Sequence, residues 1–204
     1  MTADKQKNFA SAIRILEDVG LLREYDVCRI VTQREIRGSW WGDPASHDIF
    51  ALNELLFDHR DVTVTKLISG KITFVHRKLW QKLVAVGSAR EDWQVNKLSP
   101  SAKLLLRQLD KNGSVLTNKL GPRFGPKPGD TARELELKLL IHSEQQHSES
   151  GAHTKLLETW EHWSNRVGLK NKQIESSRAR NFFEKRLLEI NEQFVGMLPW
   201  QKKK

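Results

Sequence analysis

Three histidines and two carboxylates lie close together in the third quarter of the chain. His142, His147 and His153, together with Glu144 and Glu149, fall within twelve residues. Imidazole and carboxylate groups bind zinc and other divalent metals, but spacings of five and six residues fit neither one helical face nor a zinc finger. We therefore interpret the segment as a polar hairpin, and we expect neither a metal nor another cofactor.

The same hairpin supplies the candidate catalytic residues. Alternation along a strand places His142 and Glu144 on one face. An imidazole beside a carboxylate can act as a general acid and base. If the protein is an enzyme, the candidates are these two residues and the neighbouring Gln145 and His147.

Two adjacent tryptophans, Trp40 and Trp41, occupy a loop that is rich in glycine and charge. An exposed indole can stack on an unpaired or flipped base, whereas a buried one packs its loop onto the core. Because neighbouring side chains usually point in different directions, we expect one indole to be buried and the other exposed. Both are candidate base-stacking residues.

The chain is basic, but its charge is unevenly distributed. Its 204 residues carry 34 Lys and Arg against 25 Asp and Glu, a net charge of +9. Residues 164–204 hold +6 of this, against +2 in residues 1–98 and +1 in residues 99–163. The balance favours a polyanionic partner, and we expect DNA. The candidate phosphate contacts are Lys66, Lys71, Arg77, Arg123, Lys127, Arg178, Arg180, Lys185 and Arg186.

The elements that position these residues mix helical and strand patterns. Residues 7–24 and 47–57 have helical spacing, and two alternating runs within 62–75, joined by Ser69-Gly70, predict a β-hairpin. Ser99-Pro100 is typical of a helix start. Later, Thr131 and Glu134 form a capping-box pattern. Segment 141–153 predicts a second hairpin, and segment 154–167 predicts a helix.

A winged helix-turn-helix has this order of elements, with helices followed by a hairpin. We predict an α+β fold that is predominantly helical, with tandem winged-helix-like units whose wings are β-hairpins. Residues 1–97 form an N-terminal helical unit with a hairpin, and residues 98–168 form a winged helix-turn-helix. Residues 169–204 form a basic linker and a C-terminal amphipathic helix.

The last helix, predicted at about 175–197, carries an apolar stripe at heptad-like spacing. The stripe can pair with a second copy of the chain to form a homodimer, or it can dock onto the core of its own chain. Its members are Ala179, Phe183, Leu187, Ile190, Phe194 and Met197.

The stretch from Val64 to Trp80, followed by Leu98-Ser99-Pro100 and its helix, resembles the winged-helix DNA glycosylases that open interstrand crosslinks and excise alkylated purines. The resemblance covers about residues 60–160 and implies tandem winged helices around a DNA-binding cleft. The catalytic signature of that family is a Gln-x-Gln pair. This chain has Gln33-Arg34-Glu35 and Gln145-Gln146-His147 instead, so the resemblance implies a bacterial relative without the pair.

Several classes of protein are excluded by the sequence. No apolar run approaches the ~18 residues of a membrane span, and no phosphate-binding glycine loop or nucleophile elbow is present. The single cysteine, Cys28, lies in an apolar stretch, where we expect it to be packed. These features predict a cytoplasmic protein that does not contact membranes.

The sequence therefore predicts a winged-helix protein that binds duplex DNA with little sequence specificity. Its third helix, at about 132–139, has no Asn or Gln with which to read base edges. Two alternatives remain: a glycosylase-like DNA repair enzyme that acts on a modified base, and a protein-interaction or dimerisation module.

Overall fold

A computed structural model describes residues 2–147, 153–170, 173–190 and 196–201, with only the backbone given at residues 147 and 153. The chain divides into two compact units, residues 1–80 and 81–204. Phe194, Lys172 and the three terminal lysines lie outside the described residues, as does the tip of the second hairpin. Among the described helices, none has both the length and the apolar character needed to cross a membrane.

The first unit has the element order of a winged helix. Its helices are α1 (Ala3–Val19), α2 (Glu24–Thr32) and α3 (Ser46–Phe57), and its strands are β1 (Leu21–Arg23), β2 (Val62–Ile68) and β3 (Lys71–His76). The strands form an antiparallel sheet in the order β1-β3-β2. Aliphatic side chains of the helices pack on the sheet around the buried Phe74.

Local sequence explains the turns of this unit. Helix α1 ends at Gly20, whose φ of +90° favours glycine, and a Cβ there would lie 2.6 Å from Leu79 Cδ1. In the hairpin, Ser69 and Gly70 both have positive φ, as a tight two-residue β-turn requires. The hairpin predicted from Ser69-Gly70 is therefore confirmed.

The second unit repeats the order. After α4 (Trp80–Gly87) and α5 (Asp92–Val95) come α6 (Pro100–Asn112), β4 (Ser114–Leu116), α7 (Pro128–Leu137), β5 (His142–His147) and β6 (His153–Glu158). Two single 3₁₀ turns, Thr117–Lys119 and Pro122–Phe124, stand where a second helix is expected. The sheet order is β4-β6-β5, and α8 (Trp160–Arg166) and α9 (Ser176–Ile190) follow.

The predicted α+β class, its predominance of helix and its two wings are confirmed. The boundary between units lies at 80/81 rather than 97/98, because the segment 81–97 packs on the second unit. The fully buried Gln94 side chain donates from Nε2 to the carbonyls of Gly87, Lys138 and Leu139. The C-terminal helix belongs to the same unit and is not a separate segment.

Three local predictions are wrong. Helix α1 ends at Val19, and residues 21–23, which belong to the helix predicted over 7–24, form strand β1. Residues 153–158 form strand β6 rather than the first turns of a helix, which begins only at Trp160. Helix α7 begins at Pro128, so Thr131 and Glu134 do not cap it. Instead Thr131 Oγ1 donates to the Phe124 carbonyl at 2.7 Å, and Glu134 binds the start of α6. All three errors arise because tertiary contacts override a local pattern.

Candidate functional site

Helix α7 is the third helix of the second winged unit, the position that enters a DNA groove in winged helix-turn-helix proteins. Lys127 lies at its N-cap and Arg133 near its middle, and both are exposed. Neither forms an ion pair with a described residue. Asp130 is the exposed acidic residue of the first turn. The solvent side of α7 thus offers two unpaired cations and one carboxylate.

The two glutamates of α7 are engaged inside the unit. Glu134 accepts hydrogen bonds from the Ser99 backbone N–H at 2.8 Å and from Ser99 Oγ at 2.7 Å. The side chain of Glu136 is 5% exposed and pairs with Lys155 of β6 at 2.9 Å. From the sequence alone, the two glutamates would offset the positive charges of α7. In the structure, both glutamates are used in contacts within the unit.

The loop before α7 adds a further cation. Arg123 is exposed, lies 4.7 Å from the centroid of the Phe124 ring and donates to Gln108 Oε1 at 3.4 Å. Phe124 itself is buried in the core of the unit. Arg123 and Lys127 are the two predicted phosphate contacts nearest to α7 along the chain. The structure keeps both accessible.

The last residue of β6, at the base of the second hairpin, is a buried carboxylate, Glu158, with no exposed surface. Arg166 binds it with two nitrogens: Nε lies 3.0 Å from Oε1 and Nη2 lies 2.7 Å from Oε2. His162 Nδ1 lies 2.8 Å from Oε1, and His142 Nδ1 lies 3.6 Å from Oε2. Arg166 Nη2 also contacts Glu144 Oε2 at 2.5 Å. We call these five residues the Glu158 cluster.

The hairpin and α8 assemble this cluster. His142 faces Glu158 across the β5–β6 ladder. Glu158, His162 and Arg166 recur every four residues, which places the two later side chains on one face of α8. His142 stacks on Trp163 with ring centroids 4.8 Å apart. The cluster therefore connects the β5–β6 hairpin to helix α8.

The surroundings set the charge of these groups. Burial alone would raise the pKa of Glu158, but the neighbouring His142 imidazole and the hydrogen bonds from Arg166 and His162 outweigh it and lower the pKa to about 2. The hydrogen bond to Glu158 raises the pKa of Arg166, and contact with Glu144 adds to the effect. Glu158 is thus ionised at neutral pH and is matched by the guanidinium of Arg166.

The donor set of this cluster resembles a metal site in part. Ligand atoms of His142, Glu144 and Glu158 all lie within 4.8 Å of one another. The guanidinium of Arg166, however, contacts both carboxylates at 2.5 and 2.7 Å. A side-chain cation thus already stands between the two carboxylates that a divalent metal would bridge.

The predicted catalytic residues have distinct places. His142 and Glu144 share a face of β5 as expected, but both are bound within the cluster. Gln145 follows Glu144 in β5 and is exposed. His147 pairs with His153 at the end of the β5–β6 ladder, and only the backbone of these two residues is described. Sequence reasoning missed Glu158, His162 and Arg166, although their regular spacing of four was a usable signal.

The tryptophan pair divides as expected between a packed and an exposed ring. Trp40 is half-buried and donates from Nε1 to Glu24 Oε1 at 3.1 Å. Trp41 is 65% exposed and stacks on Trp40 with centroids 4.2 Å apart. Of the two base-stacking candidates, Trp41 is therefore the one with an accessible ring.

Several of the other predicted phosphate contacts are paired with acids. Arg77 binds Asp61 and lies over the Trp80 ring, while Lys66 has an internal partner of its own. Lys71 and Lys185 are exposed and form no ion pair with a described residue. The remaining C-terminal cations form the pairs Arg178–Glu175, Arg180–Glu91 and Arg186–Glu189.

The apolar stripe of α9 is used within the chain. Ala179, Phe183 and Leu187 are buried at 0%, 0% and 3% exposure. Leu188, on a different side of the helix, is 74% exposed. The buried part of the stripe accordingly packs on its own unit.

Comparison of the chain with protein-family models, with curated proteins and with solved structures finds no match. The resemblance to winged-helix DNA glycosylases stays a prediction.

Proposed function

We propose that the second unit binds duplex DNA through backbone phosphates, with little preference for sequence. The observation that carries this proposal is the surface of α7. Its two glutamates are held by Ser99 and Lys155, while Lys127 and Arg133 remain exposed without ion pairs among the described residues. Cations on the third helix of a winged unit suit contacts with phosphates.

The charge balance supports the same assignment. Residues 81–204 contain 22 Lys and Arg against 14 Asp and Glu, a net charge of +8, whereas residues 1–80 contain 12 against 11. Low specificity follows from composition, since α7 contains no Asn or Gln and only one Arg. Such a helix can contact phosphates but can read few base edges.

The test is the fluorescence anisotropy of a labelled duplex, titrated with the full chain between about 50 and 200 mM salt. We expect affinity to fall steeply with salt. Arg133→Glu and Lys127→Glu should each weaken binding to every duplex alike and reduce the salt slope by about one. A duplex that carries an alkylated base is tested in parallel, since release of that base would favour the glycosylase alternative.

The matched control is Arg14→Glu. Arg14 is exposed on α1 of the first unit and forms no ion pair with a described residue, so the change in net charge equals that of Arg133→Glu. If both variants weaken binding equally, net charge rather than α7 is responsible. If wild type fails to bind any duplex at low salt, the proposal is wrong.

A further inference from the structure

The third helix of the first unit presents aromatic side chains to solvent. Trp41, in the 3₁₀ turn before α3, is 65% exposed, and Phe50 and Phe57 of α3 are 46% and 42% exposed. Three of the four buried positions of α3 hold aliphatic side chains, and the fourth holds Asn53. Phe57 also contacts the core, because its ring centroid lies 5.4 Å from that of the buried Phe74, and the exposed parts of the three rings are left to solvent.

The rings are held in a defined arrangement. Trp41 stacks on Trp40 with 21° between the planes, and a hydrogen bond to Glu24 anchors Trp40. The ring centroid of Phe50 lies 6.1 Å from that of Trp41. Phe57 follows Phe50 by seven residues, which places it about two turns further along the same helical face. We call Trp41, Phe50 and Phe57 the aromatic face.

The surroundings of the aromatic face are acidic. Residues 38–59 contain four acidic residues and no Lys or Arg, in a chain whose net charge is +9. Two of the four are paired, with Arg34 and with Lys5. Glu54 and Asp58 form no ion pair with a described residue. Two carboxylates thus remain available beside exposed rings.

We propose that the aromatic face binds a basic, amphipathic peptide segment of a partner protein. A Lys or Arg side chain is attracted to the face of an aromatic ring and can pair with Glu54 or Asp58. Apolar side chains of the same segment cover the remaining ring surface, as in other helix-face recognition. Nucleic acid suits this surface poorly, because Glu54 and Asp58, the two carboxylates that form no ion pair with a described residue, repel phosphates.

The experiment measures binding of two labelled amphipathic peptides to the full chain. One peptide has leucines at helical spacing with lysines between them, and the other has glutamates in place of the lysines. Because the chain as a whole is positively charged, its overall field favours the glutamate peptide. Tighter binding of the lysine peptide therefore reports a local acidic site.

We expect the lysine peptide to bind at least about tenfold more tightly than the glutamate peptide. Phe50→Ser and Glu54→Lys should each weaken its binding by about tenfold or more, as removal of a central contact does. Leu188→Ser removes a still more exposed apolar side chain from another helix and should leave binding unchanged. Circular dichroism verifies that each variant is folded.

Three results would overturn the proposal. One is equal or weaker binding of the lysine peptide relative to the glutamate peptide. Another is unchanged binding in both Phe50→Ser and Glu54→Lys. The third is binding of a single-stranded oligonucleotide that Trp41→Ala abolishes while the lysine peptide fails to compete, because that assigns the face to bases instead. None of these results depends on whether α7 binds DNA.

Discussion

Replacing Glu158 by glutamine tests the energetics of the second unit most directly. The substitution keeps the shape of the side chain and removes its charge, which leaves Arg166 beside two imidazoles with only Glu144 as a carboxylate partner. The pKa of Glu158 falls from an ordinary 4.5 to about 2 in the folded chain. That difference corresponds to about 3 kcal/mol of the free energy of unfolding at neutral pH.

The lowered pKa of Glu158 also predicts that the free energy of unfolding depends on pH. A carboxylate whose pKa is lowered by folding contributes fully above the unfolded value of 4.5, and its contribution is lost as the pH falls toward 2. Wild type should therefore lose stability over this range more steeply than Glu158→Gln. Urea denaturation, followed by circular dichroism and tryptophan fluorescence at several pH values, measures both effects.

The matched control is Glu144→Gln, because Glu144 shares Arg166 but has a 44% exposed side chain. An exposed ion pair contributes less to the free energy of unfolding, so we expect Glu144→Gln to lower that free energy by at most about 1 kcal/mol. The reasoning is refuted if Glu158→Gln is no less stable than Glu144→Gln at neutral pH. It is also refuted if the stability of wild type and of Glu158→Gln changes in parallel between pH 4.5 and 2.

Three further predictions concern single sites. Burial raises the pKa of Cys28 to about 11, so an alkylating reagent at neutral pH should modify it only after denaturant is added, as mass spectrometry can show. Gly20→Ala should lower the free energy of unfolding by more than about 1 kcal/mol, because φ is +90° and the new Cβ meets Leu79; Gly42→Ala, which meets nothing within 4 Å, is the control. Ser99→Ala should cost about 1 kcal/mol or more, because the hydroxyl both caps α6 and donates to Glu134, and an unchanged melting temperature would contradict this.

The parts of the fold that could be predicted depend on local chemistry. Ser99 and Pro100 define the start of α6 because a side-chain acceptor and a residue without an N–H both suit a helix N-terminus. Ser69-Gly70 defines the first hairpin because its turn needs positive φ. In both cases the residues that give the signal lie within a few residues of the helix start or turn that they predict.

The parts that sequence reasoning missed depend on distant partners. The pattern of Thr131 and Glu134 is that of a capping box, yet their partners are Phe124 and Ser99, 7 and 35 residues away. Residues 153–158 have helical spacing, but pairing with β5 and β4 makes them the central strand of a sheet. Likewise, nothing in the residue type of Glu158 indicates that it is fully buried.

The packing of Gln94 and Gly87 has a practical consequence for dividing the chain. A fragment that begins at residue 98, where the sequence suggests a boundary, loses the amide that binds the carbonyls of Lys138 and Leu139. It also loses the backbone of Gly87, which lies so close to Trp160 that a Cβ there would be 2.2 Å from its Nε1. The excised winged helix would then uncover Trp160 and leave the Lys138 carbonyl without the Gln94 amide, and we expect it to aggregate on expression. A fragment that begins at residue 81 retains these contacts and is the one to produce for crystallisation.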